Sequence, residues 1–192
     1  MIKFMGRINI NKPMQNHIEI QYYKTKFGEF VLGSFKNKLC LLDFRYRKMR
    51  AIVDNRIKRI LNAQYLIQNN KTLKEVKKQI NEYFSAKRKK FEVPILIVGS
   101  AFQKKVWKSL TNVKYGETAS YLDIAKNIGN EKAVRAVASA NGANSLAIII
   151  PCHRIIGSNG KLVGYGGGLS IKKRLLDLEK KNQNFEINTL YH

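Results

Sequence analysis

From residue 17 the chain alternates. His17-Ile18-Glu19-Ile20-Gln21-Tyr22 puts apolar side chains at every second position, the period of a strand with one wet face. Lys26-Phe27-Gly28-Glu29 breaks the run as a turn. Phe30 to Phe35 forms a second strand, Lys36-Asn37-Lys38 turns again, and Leu39 to Phe44 forms a third. Residues 17–45 therefore predict a small antiparallel meander. The period then changes. Over 48–66, Ile52, Val53, Ile57, Ile60, Leu61 and Tyr65 recur at helical spacing. A second helix is expected from Thr72, with Glu75 as its capping-box partner and Val76, Ile80, Tyr83 and Phe84 on its apolar face.

A basic run, Lys87-Arg88-Lys89-Lys90, and an apolar connector, Val93 to Val98, separate this part from a helical series, so a boundary falls near residues 86–93. Ser100 with Gln103 caps a helix bearing Phe102, Val106, Trp107 and Leu110. Ser120 with Asp123 caps the next, through Ile124 to Ile128. Gly129-Asn130 turns the chain, and Asn130 is expected to cap a third helix from Glu131 to about Asn141. Two short helices about a Gly-containing turn are a helix-turn-helix pattern. The second carries Ala133, Ala136, Ala138, Ser139 and Ala140, with Arg135 as the long side chain in its middle. Small residues of this kind suit either close approach to another surface or a tight helix–helix contact. The apolar run Leu146 to Ile150 then reads as a strand that stops at Pro151, ahead of Cys152-His153-Arg154 and the stretch Gly164-Tyr165-Gly166-Gly167-Gly168.

Composition narrows the class. The 192 residues are 44% hydrophobic, enough for one large domain or two small ones with packed cores. No run reaches the ~18 apolar residues of a membrane span. Met1-Ile2-Lys3-Phe4 carries no signal-peptide core, so a soluble, cytoplasmic protein is expected. The net charge of +23 points to a polyanionic partner, chiefly nucleic acid, or to a Lys- and Asn-rich compositional bias. Residues 1–100 hold 22 Lys and Arg against 7 Asp and Glu, and the rest hold 14 against 6, so the excess is spread along the chain. Cys40 lies in an apolar run and reads as core. His17, His153 and His192 are scattered, and neither a disulfide framework nor a metal site is expected.

Cys152 beside His153 at a strand end is the arrangement of an activated nucleophile. The thiolate is the reactive form, and a nearby imidazole or exposed backbone N–H groups lower the thiol pKa. The same pair also fits a structural cysteine at a turn. The surrounding residues favour the first reading. Phe102-Gln103 with Val106-Trp107, Gly116-Glu117 with Ser120-Tyr121, Lys132 to Val137, Asn144, Pro151-Cys152-His153-Arg154, Gly164-Tyr165 with Gly167-Gly168, and Leu175-Leu176 with Glu179 together resemble the O6-alkylguanine-DNA alkyltransferase family. Its other name is the methylated-DNA–protein cysteine methyltransferases. The resemblance is close over residues ~91–180; residues 1–90 match in layout.

The resemblance implies an α+β protein. Residues 1–90 would be a ribonuclease H-like domain with antiparallel strands. Residues 91–192 would be a mostly helical, winged-helix-like domain holding the helix-turn-helix. It implies one irreversible transfer, without a cofactor, of an alkyl group from O6-alkylguanine in double-stranded DNA to Cys152; O4-methylthymine stays open as a second substrate. His153 would be the base through a bound water, Glu179 its orienting carboxylate, and Asn144 the brace of the loop. Tyr121 would press on a DNA phosphate. Arg135, on a helix narrowed by Ala133 and Ala136, would fill the gap left by a flipped base. Tyr165, Gly166, Gly167 and Ile155 would line the guanine pocket. Many members have Asn-Pro where this chain has Asn144-Ser145. A monomer is expected, with cooperativity on DNA and a regulatory role left open. A cysteine hydrolase built on Cys152, His153 and Glu179 would usually draw Cys and His from distant positions. It would have no use for the helix pair. A lesion reader without repair would lack the cysteine.

Overall fold

The computed structural model describes residues 16–190, with side chains through residue 183. The readings placed on Met1 to Phe4 and on His192 lie outside the described residues. The meander forms where the alternation puts it. Strands β1 (Asn16–Thr25), β2 (Gly28–Phe35) and β3 (Lys38–Phe44) pair antiparallel in sequence. Lys36 and Asn37 both take positive φ, 48° and 61°, the two-residue turn whose twist matches that of the strands. Gly33 is needed for contact: a Cβ there would lie 2.9 Å from that of Leu41.

Two expectations give way after β3. Helix α1 spans Arg50–Leu61 and not 48–66. Asn62 turns left-handed at φ 45°, a conformation Asn tolerates better than most residues, and this ends the helix. Ala63–Ile67 then becomes β4, parallel to β1, so Tyr65 belongs to a strand. Val53 and Ile57 are buried, while Ile52 and Ile60 are exposed. Helix α2 spans Lys71–Phe84, and its cap is Asn70, whose side chain accepts from the Leu73 N–H at 2.8 Å. The capping box expected from Thr72 is not formed. Thr72 lies inside the first turn and donates its hydroxyl to the Asn37 carbonyl. Asn outranks Thr as an N-cap.

The strand order is β3-β2-β1-β4. Both faces of β2 are covered, which is why its sequence is apolar without alternation. Val31 packs with Ile18, Leu41, Val53 and Ile57 under α1. Phe30 and Leu32 pack with Leu73, Val76, Ile80 and Tyr83 under α2, and this cluster runs on into Trp107, Leu110, Ile124, Val137, Ile150 and Leu175. The connector lies along β3: Leu39 N–H donates to the Pro94 carbonyl and Leu96 N–H to that of Leu39, each at 2.8 Å.

In the helical part, α3 (Ala101–Leu110) and α4 (Tyr121–Asn127) begin with reciprocal capping boxes at Ser100–Gln103 and Ser120–Asp123, as expected. Gly129, at φ 72°, turns the chain. The third helix begins late. Glu131–Ala133 is a single 3-10 turn, the Asn130 side chain caps nothing, and α5 spans Val134–Gly142. Arg135 therefore stands in the first turn of α5, not in its middle. Trp107 fixes α3 to α5 by donating Nε1–H to the Ala140 carbonyl at 2.8 Å. The two-residue strands β5 (Ala119–Ser120) and β6 (Ile155–Ile156) pair in parallel and hold the start of α4 beside the cysteine segment. Helix α6 (Leu169–Leu190) closes the described chain. The molecule is α+β, with the sheet first and the helix-turn-helix after it. Among the described residues no helix is long and apolar enough to cross a membrane.

Candidate active site

The apolar run before Cys152 is not a strand. It is a tight loop that touches β3 and folds back on itself. Leu42 N–H donates to the Ser145 carbonyl and Ala147 N–H to that of Leu42, at 2.8 and 2.7 Å, and Ile150 N–H returns to the Leu146 carbonyl. Asn144 ties the loop from inside. Its Oδ1 accepts from Leu146 N–H and its Nδ2 donates to the Ile150 carbonyl, both at 2.9 Å. Ile148 takes φ 73°, an uncommon conformation for a β-branched residue, and its side chain is buried. The run is apolar because the loop lies in the core, and periodicity cannot separate that case from a buried strand. These bonds also anchor the segment where Asn144-Ser145 stands in place of Asn-Pro.

Cys152 opens a 3-10 turn, Cys152–Arg154, after Pro151. Asn144 Nδ2 reaches Cys152 Sγ at 3.1 Å, and Asn141 Nδ2 reaches the Cys152 carbonyl. Burial pushes the Cys152 thiol up, and the Asn144 contact pulls it back in part. Burial pushes the Cys40 thiol up to about 12, against a smaller lowering from a backbone hydrogen bond. His153 is wholly buried and its Nε2 lies 2.9 Å from Glu179 Oε1. Burial lowers the His153 pKa below the usual value, against the pull of Glu179. Its Nδ1 is buried without a protein partner among the described residues. Glu179, also with no exposure, accepts further from Tyr83, Arg154 and the Gly116 N–H. Burial alone would raise its pKa. The hydrogen bonds from His153 and Arg154 outweigh that and hold it well below the carboxylate range.

Cys152 lies in the wall of a cavity of about 270 Å³. Tyr121, Phe44 and Tyr165 give it aromatic walls, and Ala147, Asn144 and Gly166 also line it. Tyr165 is edge-on to Phe44 and to His153, and its hydroxyl is buried without a partner among the described residues. Gly166 and Gly167 are close-approach positions, a Cβ meeting Arg47 at 3.3 Å in the first and the Phe44 ring at 2.6 Å in the second. Two pocket expectations are corrected. Gly167 packs behind Phe44 and does not line the cavity, and Ile155 is fully buried core at β6. Tyr121, the first residue of α4, is half-buried in the cavity wall. Arg135 and Ala136 are exposed on α5, and Ala133 is half-buried against the core.

Several residues of the site carry no signal in the sequence. Arg47 pairs with buried Asp43 at 2.7 Å and donates to the Asn144 and Gly142 carbonyls. Arg56 donates to that of Ala143. Two arginines of the sheet part thus satisfy the carbonyls at and just beyond the end of α5, where positive charge is favoured. Lys172, fully buried, donates to the carbonyls of Ile155, Val163 and Gly164, and burial lowers it to about 8. Arg154 stands inside a motif, yet only the fold shows that it holds Glu179. Among the described residues no group of three or more His, Cys, Asp and Glu side chains converges to hold a metal ion.

The family model for the ribonuclease-like domain of 6-O-methylguanine DNA methyltransferase matches residues 18–97, and that for its DNA binding domain matches residues 101–181. A methylated-DNA–protein-cysteine methyltransferase of Methanosarcina barkeri is 50% identical over 159 residues, 83% of this chain and 95% of the relative. The chain belongs to the 6-O-methylguanine DNA methyltransferase family. A second relative, the enzyme of the same name from Methanosarcina acetivorans, is 51% identical over 113 residues, 59% of this chain and 72% of its own. Among solved members, Mycobacterium tuberculosis OGT in complex with DNA superposes with a TM-score of 0.72 at 36% identity, covering 86% of this chain and 94% of that one. The α+β order of sheet and helix-turn-helix is thus the methyltransferase order, and Cys152, His153 and Glu179 fall within the part matched to the DNA binding domain.

Proposed function

We propose that the protein repairs O6-alkylguanine in duplex DNA by moving the alkyl group to Cys152, once per molecule. The observation that carries this reading is Cys152 Sγ held by Asn144 in an aromatic-walled cavity, with the next residue, His153, bonded to Glu179. In the step, Sγ attacks the alkyl carbon, the S–C bond forms, and the C–O6 bond breaks. The thiol proton passes to His153 at Nδ1 through a bridging water. The departing guanine takes up one proton, so charge is conserved overall. Glu179 fixes Nε2–H and offsets the charge the imidazole gains. The thioether has no route back to a thiol.

A base in the stack hides its O6, so the nucleotide turns out of the duplex first, at a cost of a few kcal/mol. Exposed Arg135 on α5 replaces the lost stacking, Ala133 and Ala136 keep that helix narrow, and Tyr121 guides the nucleotide toward the cavity. Tyr165 and the Gly166 backbone hold the guanine. Residues 1–90 frame this site and residues 91–192 carry DNA and chemistry, in a protein acting as a cytoplasmic monomer. Mass spectrometry after incubation with a duplex bearing O6-methylguanine tests the reading. One methyl mass gain is expected on the peptide holding Cys152, and none in Cys152→Ser, which should still bind DNA. Labelling of Cys40, or several turnovers per molecule, would overturn it.

A further inference from the structure

Glu179 has a partner from outside the helical part. Tyr83 stands on α2 with no exposure, and its hydroxyl donates to Glu179 Oε1 at 2.6 Å while lying 3.4 Å from His153 Nε2. The same Oε1 takes His153 Nε2–H and Arg154 Nη2–H, both at 2.9 Å. Oε2 takes Arg154 Nε–H at 2.9 Å and Gly116 N–H at 3.0 Å. A carboxylate oxygen offers two in-plane lone pairs, and here three donors divide one oxygen. The Tyr83 ring is fixed by Phe84, Phe91 and Tyr115, at centroid distances of 5.7, 5.6 and 6.0 Å.

We infer that Tyr83 is a positioning residue for the proton transfer at Cys152, dividing Glu179 Oε1 with His153 so that the imidazole is held in place without being drawn into its charged form. The inference rests on the reading of Cys152 as alkyl acceptor. Burial, then the Glu179 charge, keeps the phenol protonated and therefore a donor. A donor to a carboxylate stabilises its charge and weakens its hold on a neighbouring imidazolium. Burial itself and the charges of Arg154, on the same turn as His153, and Lys172, on α6, also oppose protonation of His153. Glu179, on α6, favours it. Among the described residues, Cys152, on the same turn, and Tyr165, edge-on from its loop, are further titratable neighbours. Tyr83 adds the contribution of the sheet part. Its loss leaves Glu179 freer to stabilise the imidazolium, so His153 protonates at higher pH and the acid limb of transfer moves up.

The test is single-turnover transfer from free O6-benzylguanine to the full chain as a function of pH. Tyr83→Phe keeps the ring and its packing. The acid limb should move up by about half a unit to one unit, the scale of one shared hydrogen bond, with a several-fold loss below it and little change on the plateau. In Glu179→Gln the same substitution should move nothing further. An unmoved limb, or an equal shift in the Glu179→Gln background, would overturn the inference. Nitrogen NMR of the His153 ring in the unmutated protein adds a check that needs no variant. Proton on Nε2 and bare Nδ1 are expected, and the opposite tautomer would overturn the inference. If the unmutated protein failed to move the benzyl group to Cys152, the underlying reading would fall and this inference with it. Transfer by the unmutated protein with an unmoved limb would sink the inference alone.

Discussion

A carboxylate with no exposure has to be matched bond for bond, because an unpaired buried charge costs several kcal/mol. Glu179 meets that demand with donors from His153, Arg154, Tyr83 and Gly116. It is no surface residue of a charged segment, although its neighbours Asp177 and Lys180 are exposed. Glu179→Gln keeps an acceptor and loses the charge. We expect a loss of stability smaller than the ~3–5 kcal/mol of a fully broken buried pair, read as a lower melting temperature. Single-turnover transfer should slow by about tenfold or more, and by no more than the ~10²–10⁴ that a general base supplies in full. Equal rates would mean that the carboxylate serves only the fold. The pH dependence has a sign. Glu179 is held below its unfolded value, so its contribution is complete above about pH 4.3 and is lost as pH falls toward the folded value. Neutral His153, also held below its unfolded value, contributes fully above about pH 6.5 and loses that as pH falls. Melting temperature should therefore decline from about pH 6 downward. In the Gln variant the part of that decline due to the carboxyl group should vanish.

Helix α5 is fastened at one end and open at the other. Its last turn is held by Trp107 at the Ala140 carbonyl and by Arg47 at that of Gly142, and Arg56 of the sheet part takes the Ala143 carbonyl just beyond. Arg135, Ser139 and Gly142, spaced four and three apart, form one exposed face. Arg135→Ala on this face should leave the reaction with free O6-benzylguanine unchanged and weaken repair of duplex DNA by about one to a few kcal/mol, the scale of unstacking a base step. Arg135→Lys should rescue part of it, since lysine lacks the planar guanidinium. Equal losses on both substrates would assign Arg135 to the fold instead. Elements of this size were legible in the sequence wherever a local rule decided them. Ser100 and Ser120 cap as read because serine, the acidic or amide partner and the helix start lie within four residues. The rule failed where a competitor stood nearby or the environment ruled. Asn70 displaced Thr72, Asn62 ended α1 inside an unbroken helical period, and the core made a loop of Leu146 to Ile150. Cys152, His153 and Glu179 were legible through family motifs. Tyr83 was not, since on α2 it looks like any other apolar-face residue and meets Glu179 only through the fold.

At the scale of the molecule the two parts share one core, from Phe30 and Tyr83 through Trp107 to Leu175, so the site is assembled between them and not carried by the helical part alone. Its surface charge is a separate matter. The net +23 is distributed over both halves, while the face of α5 that meets DNA under the proposed reading is small. Each phosphate neutralised contributes about −0.9 to the slope of log affinity against log salt. A helix-turn-helix footprint of about five phosphates therefore predicts a slope near −4 to −5 for undamaged duplex, and engagement of the whole charge excess would drive it toward about −20. Titrations between ~50 and ~200 mM salt separate these cases. The shallow value is expected, because only residues on one face reach the backbone at once. Removing Arg135 should change that slope by no more than about one phosphate's worth. A flat response would mean that the lysines of this chain reflect composition, and that the exposed face of α5 does not hold the duplex through its phosphates.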